Sequence, residues 1–596
     1  MEQNDVIVCK NLKFTYPGAA SAALNGVDVT VRRGEFLSVI GHNGSGKSTL
    51  ARLLNGLLEA DEGTINVLGM DISEGKNATE IRKRVGIVFQ NPDNQMVASI
   101  VEDDVAFGPE NIGVEREEIG RRIDWALSAV GMEKYRHSTP TRLSGGQKQR
   151  IAVAGVLAIK PDIIILDEST AMLDPKGRRE VIEVVKRLNK EEGMTVILIT
   201  HFMEEALIAD RTVVMNRGEI VLQGTPEEIF KNGEKLETFN LSLPRISVIA
   251  ENLRAAGMEI NDVLRPEELA GEIIKNFEKR GIYGGQSSKS EPKTQETGHE
   301  WDIDVKNLTF TYSKKSPFAT KALKGINLQI DDGEFFGIIG HTGSGKSTLI
   351  QHFNALIKLP KPDKKNTVNP SISVGQFDLS SKKCDFKALR ASVGMVFQYP
   401  EYQLFAESVF QDVAFGLKNF KKGLTEKEIE EAVKQSLEIV GLDYADVKDK
   451  SPFDLSGGQK RRVAIAGVIV TKPHILILDE PAAGLDPKGK NEIMELLHTI
   501  HREWCKTVII VSHDMDEVAE NCTKVAVISD GEAFACDSPS KLFRRADELT
   551  ALGLDIPLTA KISRLLAQHN IIIESDCTVK DFSDKIIEVY GGSYNA

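Results

Sequence analysis

Two nonapeptides in this chain have the residue types and spacing to bind a chain of phosphates: Gly41-His42-Asn43-Gly44-Ser45-Gly46-Lys47-Ser48-Thr49 and Gly340-His341-Thr342-Gly343-Ser344-Gly345-Lys346-Ser347-Thr348. Each fits G-x-x-x-x-G-K-[ST], follows an apolar run (36–40, 335–339) and leads into a stretch that reads as a helix. Glycines let backbone N–H groups curl around an anion, and the helix behind them turns its positive end to the same anion. Lys47 and Lys346 would meet the β- and γ-phosphates of a nucleotide, and the hydroxyls of Ser48 and Ser347 would hold Mg²⁺.

Further along each half, an apolar run ends in two acids: Ile163 to Asp167-Glu168, and Ile475 to Asp479-Glu480. Burying unpaired carboxylates at a strand end is costly, so a working role is expected. Asp167 and Asp479 would reach Mg²⁺, while Glu168 and Glu480 would take the proton of an attacking water. Gln90 and Gln398 carry amides that can reach the metal or that water. His201 and His513 follow the next apolar strand and are 312 residues apart, as are Asp167 and Asp479, which favours a γ-phosphate contact over a merely structural histidine. Before the acids stand Leu143-Ser144-Gly145-Gly146-Gln147 and Leu455-Ser456-Gly457-Gly458-Gln459. A serine hydroxyl and two glycine N–H groups at a helix start make a second anion-binding device.

The elements that must position these groups recur with a period near half the chain. Each half opens with alternating apolar residues ending in Phe14-Thr15-Tyr16 or Phe310-Thr311-Tyr312, which suits antiparallel strands. Tyr16 and Tyr312 could stack on a purine or simply pack on the core. Residues 117–131 and 425–441 carry apolar side chains at helical spacing, the second behind a capping box, Thr425-x-x-Glu428, and they predict an inserted helical subdomain. Residues 358–383, rich in Lys, Pro, Asp and Ser, read as a long surface loop, and the polar stretch 282–300 reads as a linker. The tails 243–274 and 556–587 also repeat, with Ile249, Leu253 and Leu264 at helix-like intervals.

Composition excludes several alternatives. The chain has 596 residues, 41% hydrophobic and 27% charged, the balance of a globular protein with an ample core. A net charge of −13 leaves no basic excess for nucleic acid. Six scattered cysteines without a C-x-x-C pair suggest neither a zinc site nor an iron–sulfur cluster, and fit a reducing compartment. Apolar runs such as 463–470 fall short of the roughly 20 residues that span a bilayer, so a membrane role would have to pass through a partner.

The order Tyr, G-x-x-x-x-G-K-S-T, Gln, L-S-G-G-Q, apolar-D-E, L-D-P and His resembles the nucleotide-binding domain of ATP-binding cassette (ABC) ATPases, present twice. Within that superfamily, Phe89-Gln-Asn-Pro-Asp-Asn-Gln95, Phe397-Gln-Tyr-Pro-Glu-Tyr-Gln403 and the Asp-Val-Ala-Phe-Gly strings at 104–108 and 412–416 are similar to the ATPases of energy-coupling factor (ECF) transporters. The first half is similar to one of their two ATPase types and the second to the other, so the chain looks like their fusion. The resemblance implies an α/β fold of two P-loop domains, each with a RecA-like core, an antiparallel β subdomain, an inserted α-helical subdomain and a small helical C-terminal appendage.

The bounds expected are 4–235 for the first ATPase domain, 236–281 for its appendage, 282–300 for the linker, 301–545 for the second ATPase domain and 546–596 for its appendage. ATP and Mg²⁺ are the implied cofactors. The two domains are expected to pair head to tail within the chain, Lys47 facing Ser456 and Lys346 facing Ser144 across the nucleotides, with the appendages helping to hold them. The implied partners are a transmembrane coupling subunit of the EcfT type and a substrate-binding membrane subunit. The chain would lie peripherally on the cytoplasmic face of the cell membrane and drive uptake of a vitamin, cofactor precursor or metal ion. Asp93 and Glu401 are expected on exposed turns in the groove that receives the coupling subunit. The first half departs from the common D-E-P-[TA] pattern with Asp167-Glu168-Ser169-Thr170, but Glu168 is intact, so both sites are expected to hydrolyse ATP. Soluble twin-cassette translation factors would carry a long charged helical linker and N-H-L-D, where this chain has A-M-L-D and A-G-L-D. A fused sugar-importer ATPase would lack the F-Q-x-P-[DE]-x-Q pattern.

Overall fold

A computed structural model describes residues 4–591 except 20, 172, 232, 240, 242, 284, 288–300, 315, 317, 318, 361–368 and 422. The chain divides into two compact units. One comprises Met1–Arg254, Glu259–Leu269 and Gly484–Lys488, the other Ala255–Met258, Ala270–Ala483 and Gly489–Ala596.

In the first unit the central sheet has six strands in the order Glu219–Gly224, Arg211–Asn216, Phe36–Ile40, Thr195–Ile199, Ile163–Asp167, Val85–Val88. All neighbours are parallel except the first pair. Every residue of Phe36–Ile40, Ile163–Asp167 and Thr195–Ile199 is buried, which is why these strands read as unbroken apolar runs and not as alternations. A four-stranded antiparallel sheet built on Asp5–Phe14 and Leu24–Arg32 packs its alternate residues, among them Ile7, Leu12 and Val27, into the same core as Leu37 and Val39. Helices Val101–Asn111, Arg116–Ala129 and Gly145–Ala158 enclose a second cluster around Val105, Ile123, Leu127 and Ile151. This is the predicted helical subdomain.

The second unit repeats the plan with the same strand order, from Val393–Val396 through Ile475–Asp479, Thr507–Val511, Phe335–Ile339 and Lys524–Ser529 to Glu532–Asp537. Helix Glu426–Ile439 starts with the predicted capping box. Thr425 N–H donates to Glu428 Oε2 at 2.7 Å and Thr425 Oγ1 accepts from Glu428 N–H at 3.4 Å.

Two expectations need correction. The stretch 358–383 is not only loop, since Ser371–Val374 and Phe377–Asp378 complete the antiparallel sheet, with Ile372 and Val374 buried against its core; residues 361–368 lie outside the described residues. The expected linker begins as structure: Gly285–Gln286 pairs in parallel with Ile571–Ile572, and Ser287 N–H donates to Ile572 O at 3.0 Å, while 284 and 288–300 lie outside the described residues. Helices Arg245–Ala255, Pro266–Lys279, Leu558–Ala567 and Val579–Gly591 form the predicted tails. Inside the second unit the ring of Phe277 stacks on Tyr590 at 5.8 Å, and the Arg280 guanidinium lies 3.7 Å over the same tyrosine.

Candidate active site

The phosphate loop of the first half leaves the end of Phe36–Ile40 and enters helix Lys47–Leu54 through Gly46, whose φ of 103° a side-chain-bearing residue would adopt only under strain. A Cβ on Gly41 would stand 2.4 Å from Met215 O, so glycine is required there by space as well. Lys47, almost wholly buried, donates to Gly41 O at 2.8 Å and His42 O at 3.0 Å, and its Nζ is 3.7 Å from Glu168 Oε1. Lys346 repeats the pattern with Gly340 O at 2.7 Å and His341 O at 3.1 Å. The lysine is thus curled back over the loop, where a phosphate chain would be met.

Ser48 Oγ donates to Asp167 Oδ1 at 2.7 Å. A hydroxyl and a carboxylate converging on one point are the hard oxygen donors that suit Mg²⁺, and Ser347 bonds Asp479 likewise. Burial raises both acids above the ordinary range, Asp479 to about 6, against the opposing pull of the serine bond.

Glu168 and Glu480, one residue beyond the buried strands, take left-handed backbone angles of φ 49° and 51°. Such angles in non-glycine residues hold about 1–3 kcal/mol of strain and gather at functional sites. Bonds from Glu168 N–H to Ile199 O (3.0 Å) and from Glu480 N–H to Val511 O (2.9 Å) fix the turn. Gln90 Nε2 donates to Glu168 Oε2 at 3.2 Å, and Gln398 Nε2 to Glu480 Oε2 at 2.8 Å. His201 Nδ1 lies 3.8 Å from Glu168, beyond hydrogen-bond reach, and His513 Nδ1 lies 3.3 Å from Glu480. Burial by itself would raise the Glu168 carboxyl, but nearby His201 and Lys47 outweigh it and hold it below its ordinary value. An ionised glutamate aimed by an amide can accept a proton from water.

The structure therefore brings Lys47, Ser48, Gln90, Asp167, Glu168 and His201 together, and their counterparts in the second half. Ser144 and Ser456 stand elsewhere, as N-caps of helices Gly145–Ala158 and Gly457–Ile469, each in a capping box with Gln147 or Gln459. Gln147 Nε2 also donates to Tyr135 Oη at 2.9 Å. Tyr16 and Tyr312 bond Thr49 and Thr348 of the phosphate-loop helices, at 3.3 and 3.1 Å, and rest edge-on against Phe14 and Phe310.

Sequence reasoning missed Glu205 and Glu517. Each is buried behind its histidine and accepts from a hydroxyl, Thr200 at 2.6 Å or Ser512 at 2.7 Å, that also receives a loop N–H. They too are 312 residues apart, a signal the repeat offered. The Asp-Val-Ala-Phe-Gly strings also acquire a physical meaning. Asp104 accepts from Val97 N–H and Ala98 N–H, Asp412 from Phe405 N–H and Ala406 N–H, and so each aspartate fixes the turn after its glutamine segment. Gly108 leaves room for Ile159, which a Cβ would approach to 2.7 Å.

Of the two acids expected on exposed turns, one is exposed. Asp93 is 62% exposed and bonds Lys148 at 2.6 Å, whereas Glu401 is 25% exposed and lies 3.7 Å from Arg461 of its own half. Glu401 is not an open groove carboxylate, because the second half supplies a buried cation where the first has Gln149.

The sequence model of the ABC transporter family matches residues 24–171 and 323–483. The chain belongs to the ABC transporter family. Its two ABC domains are ATPases. Over 96% of this chain and 98% of the other, it is 34% identical to a protein of Caldanaerobacter subterraneus subsp. tengcongensis named as an ABC transporter ATP-binding protein. A similarly named protein of Methanosarcina mazei is 34% identical over 97% of both chains. The energy-coupling factor transporter ATP-binding protein EcfA1 of the same Caldanaerobacter strain is 52% identical over 45% of this chain and 99% of its own length. This ABC chain thus has the length of two such subunits, and its halves resemble them. Among the described residues, no helix is long and apolar enough to cross a membrane.

Proposed function

We propose that this chain is the complete ATPase pair of an ECF-type importer, working on the cytoplasmic face of the membrane with a transmembrane coupling subunit and a substrate-binding membrane subunit. It would couple ATP hydrolysis to uptake of a vitamin, cofactor precursor or metal ion. In this reading Lys47 and Lys346 bind the β- and γ-phosphates. Ser48 with Asp167, and Ser347 with Asp479, hold Mg²⁺, which neutralises phosphate charge as it develops. Glu168 and Glu480 accept the proton of the attacking water, aimed by Gln90 and Gln398, while His201 and His513 contact the γ-phosphate. Ser144 and Ser456 complete the sites of the opposite halves head to tail.

The observation that carries the partner is an apolar surface beside each glutamine segment. Val97 and Phe107 are exposed in the first half, and in the second Tyr402, Phe405 and Phe415, the last two ring to ring at 4.8 Å. Asp104 and Asp412 build the same turn beneath both patches, so the aromatic exposure is held in place. Fixed apolar groups of this kind suit helices of a membrane subunit.

The double variant Phe107→Asp, Phe415→Asp tests this. It should keep the basal ATPase rate of the isolated chain within about twofold, yet bind membranes carrying the coupling subunit at least ~30-fold more weakly, as loss of an interface anchor does. Undiminished membrane binding would overturn the docking assignment.

A further inference from the structure

At the opposite end of the second unit's core strands from Glu480, three ligating side chains meet. His474 immediately precedes the strand that Glu480 follows, so the two are separated by about 20 Å of extended chain. His474 Nε2 lies 3.0 Å from Asp302 Oδ1 and 3.3 Å from Asp332 Oδ1. Asp302 belongs to strand Trp301–Tyr312 of the antiparallel sheet, and Asp332 to the turn after Thr320–Asp331.

We propose that Asp302, Asp332 and His474 form a binding site for one divalent transition-metal cation of the Zn²⁺ or Ni²⁺ class, which staples the antiparallel sheet to the core sheet. Ligand atoms bound at about 2.1 Å in tetrahedral or octahedral geometry stand about 3.0–3.4 Å apart, which is the spacing of His474 Nε2 from both aspartate oxygens, and the three ligand atoms all lie within 4.8 Å of one another. Imidazole with carboxylates is a donor set for such cations.

The surroundings are organised in the way a metal site needs. Asp302 is buried and its second oxygen is held by the Thr507 hydroxyl, which leaves Oδ1 directed at the histidine. The His474 backbone is fixed by bonds from His474 N–H to Ser392 O and from Thr507 N–H to His474 O. Lys506 meets only the outer oxygen of Asp332, Oδ2, at 3.3 Å. Asp332 Oδ1, on the inner side, is shut off from solvent and accepts no hydrogen bond. An imidazole N–H can serve one carboxylate; a cation serves both.

The first half gives an internal contrast. At the corresponding places it has Val6, Arg33 and Asp162, and the single acid is paired by Arg33 at 3.8 Å and Arg84 at 2.7 Å. The charge pattern is inverted. Where the first half balances one acid with two arginines, the second sets two acids and a histidine around a point that lacks an arginine.

The full chain, with saturating Mg²⁺ and AMP-PNP to occupy the nucleotide sites, is to be dialysed against low-micromolar Zn²⁺ and its bound zinc measured. One zinc per chain is expected, with a rise in melting temperature that EDTA reverses. His474→Gln and Asp332→Asn, both at partly exposed positions, should each weaken zinc binding at least ~10-fold and remove that rise. Their melting temperatures in EDTA show that they fold. Absence of bound zinc in the wild-type chain, as a bare imidazolium between two carboxylates would give, overturns the proposal. Zinc retained undiminished by both variants overturns it as well, by placing the metal on other groups such as the cysteines.

Discussion

In the first half Gln149 is buried and donates to Phe89 O at 3.1 Å, next to Gln90, the glutamine that bonds Glu168. At the same place in the repeat the second half has Arg461, whose guanidinium donates to Pro481 O at 3.1 Å and Ala483 O at 2.9 Å and faces Glu401. The lysine, serine, glutamine, aspartate, glutamate and histidine proposed to act at each phosphate loop are otherwise matched residue for residue. What differs is how the turn beside the apolar patch is connected to the backbone that follows the glutamate. In the second half one buried cation spans from that turn to the residues just after Glu480. In the first half the exposed Asp93 is tied to the half-buried Lys148, and Ser169, where the second half has Pro481, keeps a buried hydroxyl without a hydrogen bond. Matching side chains can therefore sit in unequal mechanical settings, and in the second half a buried cation ties the site to its turn.

The largest effect should come from the feature the halves share. Glu168→Gln and Glu480→Gln each keep a side chain of the same shape while removing the base, so each should lose turnover at its own site. The double variant should bind ATP with hydrolysis reduced at least ~100-fold. Steady-state ATPase and nucleotide-binding assays check this. Loss of binding together with hydrolysis would show that the glutamates act as loop supports and not as bases.

Next comes the feature that differs. Arg461→Met strands Glu401 and leaves two carbonyls without their donor, and should cost the second half about 3 kcal/mol in denaturant unfolding. Gln149→Leu removes a single amide bond and should cost the first half about 1 kcal/mol. Equal losses would dissolve the distinction between the halves.

These contrasts also show how far the sequence could be read. The phosphate loops, the acid pairs, the glutamines and the histidines were legible because each motif occurs twice in the same order, and buried parallel strands announce themselves as apolar runs. The helical subdomain was legible from the spacing of Ile123, Leu127 and Val130. The pairing of Gly285–Gln286 with Ile571–Ile572 was not, because two residues carry no periodicity and their partner lies far along the chain. Strands Ser371–Val374 and Phe377–Asp378 were hidden by polar neighbours whose composition reads as loop. The burial of Glu401 depended on Arg461, sixty residues later, and one-dimensional spacing does not show which acid meets which base.

A third effect concerns pH. Burial lifts Asp479 from its ordinary value near 3.8 to about 6. Between those values the folded, metal-free chain binds more protons than the unfolded one, so stability from this group is full below about pH 4 and is lost as pH rises through about 6. The loss is at most about 3 kcal/mol. Asp479→Asn should flatten it, giving a metal-free protein more stable than wild type at pH 7 and no more stable at pH 4. Melting curves in EDTA across that window check the sign. Higher wild-type stability at pH 7 than at pH 4, restored to the same slope in the variant, would assign the titration to another group.

The smallest effect compares two helix starts. Helix Glu426–Ile439 is capped by Thr425, whereas its counterpart Arg116–Ala129 begins at Glu115 with no side-chain cap, although Glu118 stands three residues on, where a capping box needs its acid. Thr425→Ala removes the hydroxyl that accepts from Glu428 N–H and should lower the melting temperature of the second half by about 2–4 °C. Glu115→Thr supplies the missing partner in the first half, but the gain should be smaller than that loss. Glu118 is already committed to Arg122 at 3.0 Å, Arg121 at 3.0 Å and Lys160 at 3.1 Å, and these bonds hold its carboxyl down to about 2. To close a capping box it would have to release at least one of them. A further substitution, Lys160→Gln, frees the acid from its most distant partner and should bring the gain from Glu115→Thr closer to the loss from Thr425→Ala. If Glu115→Thr alone already matched that loss, the cation cluster would not be holding Glu118 away from the helix start.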